Sequence, residues 1–195
     1  MKTWPIVLCL VGCAPRLYTD AADDTGVSNW VAPDNQWTTN APPRNLVAEG
    51  TGEGEVPPDF LLKDQFGDDV SLWQFYGQWV VLDFSTIWCA PCQDLAALAH
   101  ETYELYEEHG FEYITILSQN MYYEAPSLEE VQSWVDTFSM GTPVLADPVE
   151  WTNQFVKGAS GFPRLVIVGP DMRIVESEVK PNTDEGLRAA LDELF

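Results

Sequence analysis

The sequence predicts an α/β fold in which helices cover both faces of a mixed central sheet. Strand-like and helix-like segments alternate along residues 57–195, which is the pattern of a layered α/β domain. The segment Trp79–Phe84 is a continuous apolar run interrupted only by Asp83, typical of a central strand in a covered parallel sheet. Near the end of the chain, Gly169–Met172 joins two short apolar runs and predicts a hairpin, so antiparallel pairs are also expected.

The elements of the first half follow from apolar spacing and from the residues that begin and end helices. Phe60–Lys63 predicts a short first strand. Ser71 is expected to cap a short helix that Gly77 ends. After the central strand, apolar residues recur at helical spacing from Cys92 to Tyr106 and predict a long helix, which Gly110 stops.

The second half contains three further helix-start signals. Ser127-Leu128-Glu129-Glu130 is a capping box and predicts a helix to about Phe138. Asp147-Pro148 places a cap and an N1 proline before another helix, and Thr183 caps a final helix that reaches the end of the chain. The remaining expected strands are Phe111–Leu117, Pro143–Ala146, Arg164–Val168 and Arg173–Val179.

Two cysteines, Cys89 and Cys92, stand two residues apart in W-C-A-P-C, after the central strand and at the head of the long helix. A zinc site would need a second pair of cysteines or histidines at suitable spacing. The other cysteines, Cys9 and Cys13, lie at the extreme N-terminus, and the two histidines are nine residues apart. Redox chemistry is therefore favoured over zinc, and we expect neither a metal ion nor a cofactor.

The helix start predicts different roles for the two thiols. Unpaired N–H groups and the positive end of the helix dipole favour a thiolate at Cys89 and lower such a pKa from about 8.5 to roughly 3.5–7.5. Cys89 is thus the expected attacking thiol, and Cys92, one turn further in, the resolving thiol. Ala90 and Pro91 form the turn between them, and Pro91 lacks an N–H that could stabilise the thiolate. The alternative is a purely structural disulfide or two inert thiols.

The N-terminus predicts export. Residues 1–12 combine Lys2 with an apolar stretch too short to span a membrane, as in a signal peptide. Leu10-Val11-Gly12-Cys13 resembles a bacterial lipobox, in which Cys13 would carry lipid; the alternatives are a signal cut elsewhere and an unrelated apolar start with a chance cysteine. We therefore expect a lipoprotein of the bacterial cell envelope that faces the periplasm and touches the membrane only through this lipid.

Composition divides the rest of the chain into a tether, residues 13–56, and a domain, residues 57–195. The tether is polar and without periodicity, although Trp30 and Trp37 could dock on a surface. The whole chain has 9 Lys and Arg against 31 Asp and Glu, a net charge of −22, which makes nucleic acid a poor partner. This acidity serves solubility alone or attracts basic partners such as cytochromes or copper-binding proteins. We expect a monomer.

Four segments together resemble the thioredoxin superfamily, specifically its exported TlpA-like, redoxin-type branch of thiol–disulfide oxidoreductases. They are V-P-P-D-F-L-L-K-D-Q-F-G with S-L-W-Q-F-Y-G-Q-W (56–67 and 71–79), V-V-L-D-F-S-T-I-W-C-A-P-C (80–92), T-P-V-L-A-D-P (142–148) and G-F-P-R-L-V-I-V-G-P-D-M-R-I-V (161–175). The resemblance implies a thioredoxin-like fold with an N-terminal hairpin extension. It also implies exchange with the thiols and disulfides of exported proteins and with a redox partner protein; cytochrome c maturation, disulfide repair and oxidative folding stay open.

The resemblance also implies roles for residues around the dithiol. Asp83 would relay a proton to or from Cys92; the alternative is a strand-end carboxylate that is exposed to solvent or bonded to a backbone group. Pro163 would follow a cis peptide bond and lie against the dithiol, leaving the backbone of Phe162 to pair with substrate. Trp88 would flank the dithiol as an apolar platform, although a place in the core is equally compatible with the sequence.

Some positions depart from the family pattern and keep other functions open. Leu95 stands where many TlpA-like proteins have a glutamate, and Ser85 where the family often has tryptophan; the lysine that pairs with the buried acid has no evident counterpart. Thr86-Ile87-Trp88-Cys89 fits the T-x-x-C of a peroxiredoxin-like thiol peroxidase, but Leu82 stands where that family has proline. A non-catalytic or copper-binding module of the same fold is a further alternative, although its copper-delivery relatives use C-x-x-x-C.

Overall fold

A computed structural model describes residues 30–149, 151–156 and 161–195. Within these residues seven strands form one sheet. The strands are β1 (Leu61–Lys63), β2 (Asp69–Ser71), β3 (Trp79–Ser85), β4 (Phe111–Leu117), β5 (Val144–Ala146), β6 (Arg164–Val168) and β7 (Ile174–Glu176). The α-helices are α1 (Ala90–Tyr106), α2 (Leu128–Phe138) and α3 (Asp184–Asp192), and short 3₁₀ helices cover Leu72–Gln74, Glu107–His109 and Trp151–Gln154.

The sheet is mixed, as predicted, and its strand order is β2-β1-β5-β4-β3-β6-β7. Strand β3 is an interior strand, next to the central β4, and it is parallel to β4 and antiparallel to β6. Strand β4 is also parallel to β5, and the β1–β2 hairpin extends the sheet beyond β5 in antiparallel fashion. The carboxyl end of β3 therefore meets the start of β6 at one edge of the sheet, where the dithiol turn begins.

Two hydrophobic cores lie on opposite faces of the sheet because successive strand residues point to opposite sides. All three α-helices bury residues in the first core, which contains Val81 of β3 and Tyr113 of β4. The second core contains the neighbouring Val80 and Ile114. It is covered by the 3₁₀ helices Leu72–Gln74 and Trp151–Gln154 rather than by a long helix.

The helix predicted after Asp147-Pro148 is thus only a short 3₁₀ helix. The carboxylate of Asp147 accepts the N–H groups of Trp151 and Thr152 at 2.9 and 2.7 Å. These donors stand four and five residues further on, whereas a helix N-cap bonds the second or third helical residue. Asp147 therefore closes a wider turn instead of starting an α-helix.

Residues 30–56, assigned above to the tether, pack against the second core. Trp30 donates its indole N–H to Ser71 Oγ at 2.8 Å, and Trp37 donates to Asp64 Oδ2 at 2.7 Å. The backbone N–H of Asn40 reaches Gln74 O at 2.7 Å. The packed part of the chain extends back to residue 30, beyond the predicted boundary at 57. The signal, Cys13 and the rest of the predicted tether lie outside the described residues.

The amide of Gln74 holds this segment in place. It is fully buried, donates to Asn35 Oδ1 and Thr38 O, and accepts from Asn35 Nδ2 and the N–H of Ser71, at 3.0 to 3.2 Å. An unsatisfied buried polar group costs about 1–3 kcal/mol.

We expect Gln74→Leu to lower the free energy of unfolding by about 3 kcal/mol, because it strips partners from several buried groups at once. Urea unfolding followed by tryptophan fluorescence measures the change. Gln36→Ala, on the exposed side of the same segment, is the matched control and should change stability by less than about 0.5 kcal/mol. Equal effects of the two substitutions would contradict an anchoring role for Gln74.

Candidate active site

The dithiol lies at the junction between the end of β3 and the start of α1. Cys89 and Cys92 form a disulfide with an S–S distance of 2.17 Å and a Cα–Cα distance of 5.2 Å. Cys89 is the N-cap of α1, and the N–H of Cys92 donates to its sulfur at 3.2 Å. Pro91 occupies the first turn of α1, where a missing N–H costs no helical hydrogen bond. In the reduced protein, the N-terminal end of α1 and the N–H of Cys92 favour a thiolate at Cys89.

The two sulfurs differ in access. Cys92 is fully buried, whereas Cys89 keeps 4% of its surface exposed next to the exposed Ala90 and Pro91. A client approaching along the surface therefore meets Cys89 first. This is the order predicted for an attacking and a resolving thiol.

Asp83 lies on the face of the sheet against which α1 packs. It is fully buried on β3, opposite Thr115 of β4 in the parallel register. Cys92 and Leu165, the β6 partner of Asp83, belong to the core on the same face. The solvent-exposed alternative for Asp83 is therefore wrong.

Three hydroxyl groups take the place of a basic partner for this carboxyl. Ser85 donates to Asp83 at 2.6 Å, Thr115 at 3.3 Å and Tyr113 at 3.4 Å. Burial raises the pKa of Asp83 to about 7 because it disfavours the charged form, and the bonds from Ser85, Thr115 and Tyr113 oppose this shift without cancelling it. A carboxyl with such a pKa can accept or release a proton near neutral pH.

Sequence reasoning missed this set of hydroxyls. The sequence marks Ser85 only as a departure from the family pattern, although this residue stands two positions after Asp83 and so lies on the same face of β3. Thr115 and Tyr113 could be found only from the register of β4 against β3.

The start of β6 brings Phe162 and Pro163 to the same edge of the sheet. Arg164 pairs with Phe84 near the end of β3, so the preceding proline lies beside the start of the dithiol turn. The Phe162–Pro163 peptide bond is cis, as the resemblance implies. The side chain of Phe162 packs against the core that contains both cysteines.

Trp88 lies at the surface beside the dithiol rather than in the core. Its side chain is 38% exposed, and its ring meets Phe162 edge-on at 6.3 Å and Tyr123 at 5.5 Å between centroids. Its indole N–H donates to Gln119 Oε1 at 3.2 Å. The structure thus brings Trp88, Phe162 and the dithiol together, and it adds Gln119 and Tyr123, which the sequence did not single out.

Other positions carry less chemistry. Leu95, which replaces the family's glutamate, is buried in the core under α1, so no carboxylate stands there. Within the described part of the chain, no group of three or more His, Cys, Asp and Glu side chains could hold a metal ion. None of the helices in that part is long and apolar enough to cross a bilayer.

Residues 54–176 match the AhpC/TSA family. The chain is 31% identical over 99 residues to the thioredoxin-like protein YneN of Bacillus subtilis, covering 50% of this chain and 55% of YneN. It is 26% identical over 145 residues to the thiol-disulfide oxidoreductase ResA of Bacillus anthracis, covering 72% of this chain and 78% of ResA.

Solved structures agree on the fold. The thioredoxin domain of a thiol-disulfide oxidoreductase from Bacteroides vulgatus superposes with a TM-score of 0.61 at 20% identity, covering 73% of this chain and 97% of that domain. A putative thiol:disulfide interchange protein DsbE from Chlorobium tepidum gives 0.57 at 19% identity, covering 76% and 97%. The predicted thioredoxin-like fold is confirmed. The chain therefore belongs to the AhpC/TSA family, as a redoxin-type member of the thioredoxin superfamily.

Proposed function

We propose that this protein is a thiol–disulfide oxidoreductase that exchanges disulfides with exported proteins through Cys89 and Cys92. One observation carries the proposal: the two sulfurs are bonded to each other at the start of α1, where Cys89 caps the helix. The names of the ResA relatives support it.

The reaction is two successive displacements at sulfur. The thiolate of Cys89 attacks one sulfur of a client disulfide, breaks that bond and releases the other client sulfur as a thiolate that takes up a proton. Cys92 then attacks Cys89 Sγ, which breaks the mixed disulfide, frees the second client thiol and forms the Cys89–Cys92 bond. Two electrons pass from the dithiol to the client, and the reverse sequence oxidises a client dithiol.

Asp83 serves as the proton acceptor when Cys92 attacks, and as the donor in the reverse direction. Its position under α1, its burial and its pKa of about 7 support this role. Phe162, Pro163 and Trp88 form the seat on which the client chain lies, and their clustering beside Cys89 supports this assignment.

A lipid on Cys13 would hold the domain at the periplasmic face of an envelope membrane, with the segment before residue 30 as the tether. A separate redox partner protein would restore the starting state of the dithiol after each turnover. Cytochrome c maturation is one pathway in which such an exchange would take place. Mass spectrometry of protein extracted from membranes tests the anchor: a lipidated Cys13 at the N-terminus supports it, and an unmodified chain that retains residues 1–12 overturns it.

Insulin reduction in the presence of dithiothreitol tests the exchange activity, because released B chains precipitate and scatter light. We expect acceleration over dithiothreitol alone. A redox titration of the Cys89/Cys92 couple against glutathione then gives the direction of electron flow, since potentials in this superfamily range from about −270 to −120 mV. The proposal would be overturned if the protein caused no insulin turbidity and if alkylation trapping detected no mixed disulfide between the protein and a client.

A thiol peroxidase is the second candidate, and Thr86 is the observation that favours it. Its hydroxyl is buried three residues before Cys89 and has no hydrogen-bond partner among the described residues. A peroxide oxygen next to Cys89 could accept a hydrogen bond from that hydroxyl while the thiolate attacks the other peroxide oxygen; the O–O bond breaks, Cys89 becomes a sulfenic acid, and the released oxygen takes up a proton and leaves as water. A hydrogen peroxide consumption assay decides: rapid thiol-dependent turnover would place this activity first.

A further inference from the structure

Three large apolar or aromatic side chains stand exposed on the loop that follows β4, beside the dithiol turn. Met121, Tyr122 and Tyr123 are 60%, 79% and 69% exposed, and Trp88 adjoins them. We call these four residues the aromatic face. Contiguous exposed apolar surface of this kind marks interaction sites, and here it borders the attacking cysteine.

The loop is held in shape by Asn120. Its side-chain oxygen accepts the N–H groups of Tyr122 and Glu124 at 2.9 and 3.1 Å, and its backbone N–H donates to Glu124 O at 2.7 Å. The loop is tied to the dithiol turn by the N–H of Ile87, which donates to Gln119 O at 2.9 Å. The backbone that carries the aromatic face is therefore preformed, and little backbone order has to be gained on binding.

A cavity of about 340 Å³ opens next to this face, between the dithiol turn, the loop and α2. Ile87, Met121 and Phe138 line it with apolar groups. Trp134, also in its wall, is 4% exposed, and its indole N–H has no acceptor among the described residues. The cavity thus offers apolar contacts that suit an apolar side chain, whereas the indole N–H of Trp134 is itself buried.

The segments that form this surface carry carboxylates and no lysine or arginine, and the nearby Arg164 at the start of β6 lies 3.9 Å from the carboxylate of Glu178. No lysine or arginine stands between Lys63 and Lys157, a stretch that supplies the dithiol turn, α1, the loop and α2. Asp94, Glu124 and Glu129 are exposed on these elements. Electron-rich rings attract cations, and an acidic field raises the association rate of a basic partner.

We propose that the aromatic face seats a lysine- or arginine-bearing segment next to the client's cysteine, while an apolar side chain of the same segment enters the cavity. This rests on the proposed exchange function and names the class of client that the site prefers. The client cations lie over the rings of Tyr122 and Tyr123, and the client sulfur reaches Cys89 past Trp88.

The test compares two peptides that differ only in lysine or glutamate beside a cysteine carried as a mixed disulfide with 2-mercaptoethanol. Stopped-flow tryptophan fluorescence gives the second-order rate constant for each with the reduced full chain. We expect the lysine peptide to react faster by about tenfold at low salt, with the advantage shrinking at high salt. Tyr122→Leu/Tyr123→Leu should narrow the ratio to about twofold, whereas Tyr122→Phe/Tyr123→Phe should keep it.

Glu104→Gln/Glu108→Gln is the control for total charge, since both residues are exposed near the far end of α1. It should leave the ratio intact; a narrowing equal to that of the leucine variant would overturn the proposal. Uncharged bis(2-hydroxyethyl) disulfide distinguishes a failure of the client preference from a failure of the exchange function. Equal rates for both peptides, with this reagent still reduced, overturn the client preference alone, whereas no reaction with any disulfide overturns the exchange function and the preference together.

Discussion

A Cys89→Ser chain is expected to capture no client, whereas a Cys92→Ser chain should accumulate a mixed disulfide with it. Only Cys89 combines access with the helix-capping position that favours a thiolate, so its loss removes the first displacement. Removing a catalytic nucleophile lowers the rate by at least about 10³-fold. In the Cys92→Ser chain the first step proceeds and the second cannot. Non-reducing electrophoresis of acid-quenched, alkylated extracts measures the captured client.

Cys13→Ser supplies the matched control, because Cys13 is the one other cysteine of the predicted mature chain and its sulfur is the expected site of lipid attachment. Apart from any change in membrane location, this variant should react with clients in the same way as the native chain, because it keeps both Cys89 and Cys92. Capture by Cys89→Ser at the level of Cys92→Ser would mean that Cys92 is the attacking thiol, and the assignment of roles would be reversed.

Local sequence patterns were sufficient to predict an element where it has a clear periodicity or a dense apolar run and clear start and stop signals. Strands β4 and β6 have the predicted bounds because each is a dense apolar run, and Gly110 precedes the first in a left-handed conformation with φ of 70°. Helix α2 begins as predicted because Ser127 and Glu130 exchange hydrogen bonds in a capping box.

Local patterns failed where individual contacts replace periodicity. Residues 30–56 have no repeat of apolar residues, yet Trp30, Trp37 and Asn35 each find a polar partner on the domain. Such contacts depend on which surface the fold presents, and that surface is built from strands far along the chain. Composition alone therefore favoured a free tether for a segment that packs.

The candidate site divides in the same way. Cys89, Cys92 and Asp83 could be identified from one segment because the dithiol, the helix start and the lone carboxyl in an apolar strand are all local features. The hydroxyls of Tyr113 and Thr115, and the exposed Tyr123 beside Trp88, reach the site only through the pairing of β4 with β3 and the loop beyond it. Which residues neighbour the dithiol in this way depends on the tertiary structure, which local sequence patterns do not predict.

The buried Asp83 should make the protein less stable as pH rises. In the unfolded chain this carboxyl ionises near its ordinary pKa of 3.8, whereas in the folded chain it stays protonated up to about 7. Between these values the folded state binds the extra proton, so the contribution of Asp83 to stability is largest at acid pH and is lost as pH rises through about 7. We expect Asp83→Asn to remove this loss, and the gain over the native chain should grow to about 4 kcal/mol above pH 7.

Glu112 allows the structural and chemical consequences of a buried carboxyl to be separated. Burial raises its pKa to about 7 as well, but by strand alternation it lies on the opposite face of the sheet from Asp83. Glu112→Gln should therefore also improve stability above pH 7. Because it is remote from Cys92, it should not alter the exchange reaction.

The exchange reaction should distinguish Asp83→Asn from Glu112→Gln, since only Asp83 lies on the face of the sheet whose core contains Cys92. Below the pKa of Asp83 the carboxyl is protonated and cannot accept the Cys92 proton, so release of a preformed mixed disulfide should accelerate as pH rises through about 7. In Asp83→Asn this rise should disappear, and release at pH 8 should be slower by about 10²-fold, the usual contribution of a positioned base. Rapid mixing of a purified client adduct, followed by the appearance of free client thiol across pH, measures the rate. A pH profile shared by Asp83→Asn and Glu112→Gln would show that the buried carboxyl shapes stability but moves no proton for Cys92.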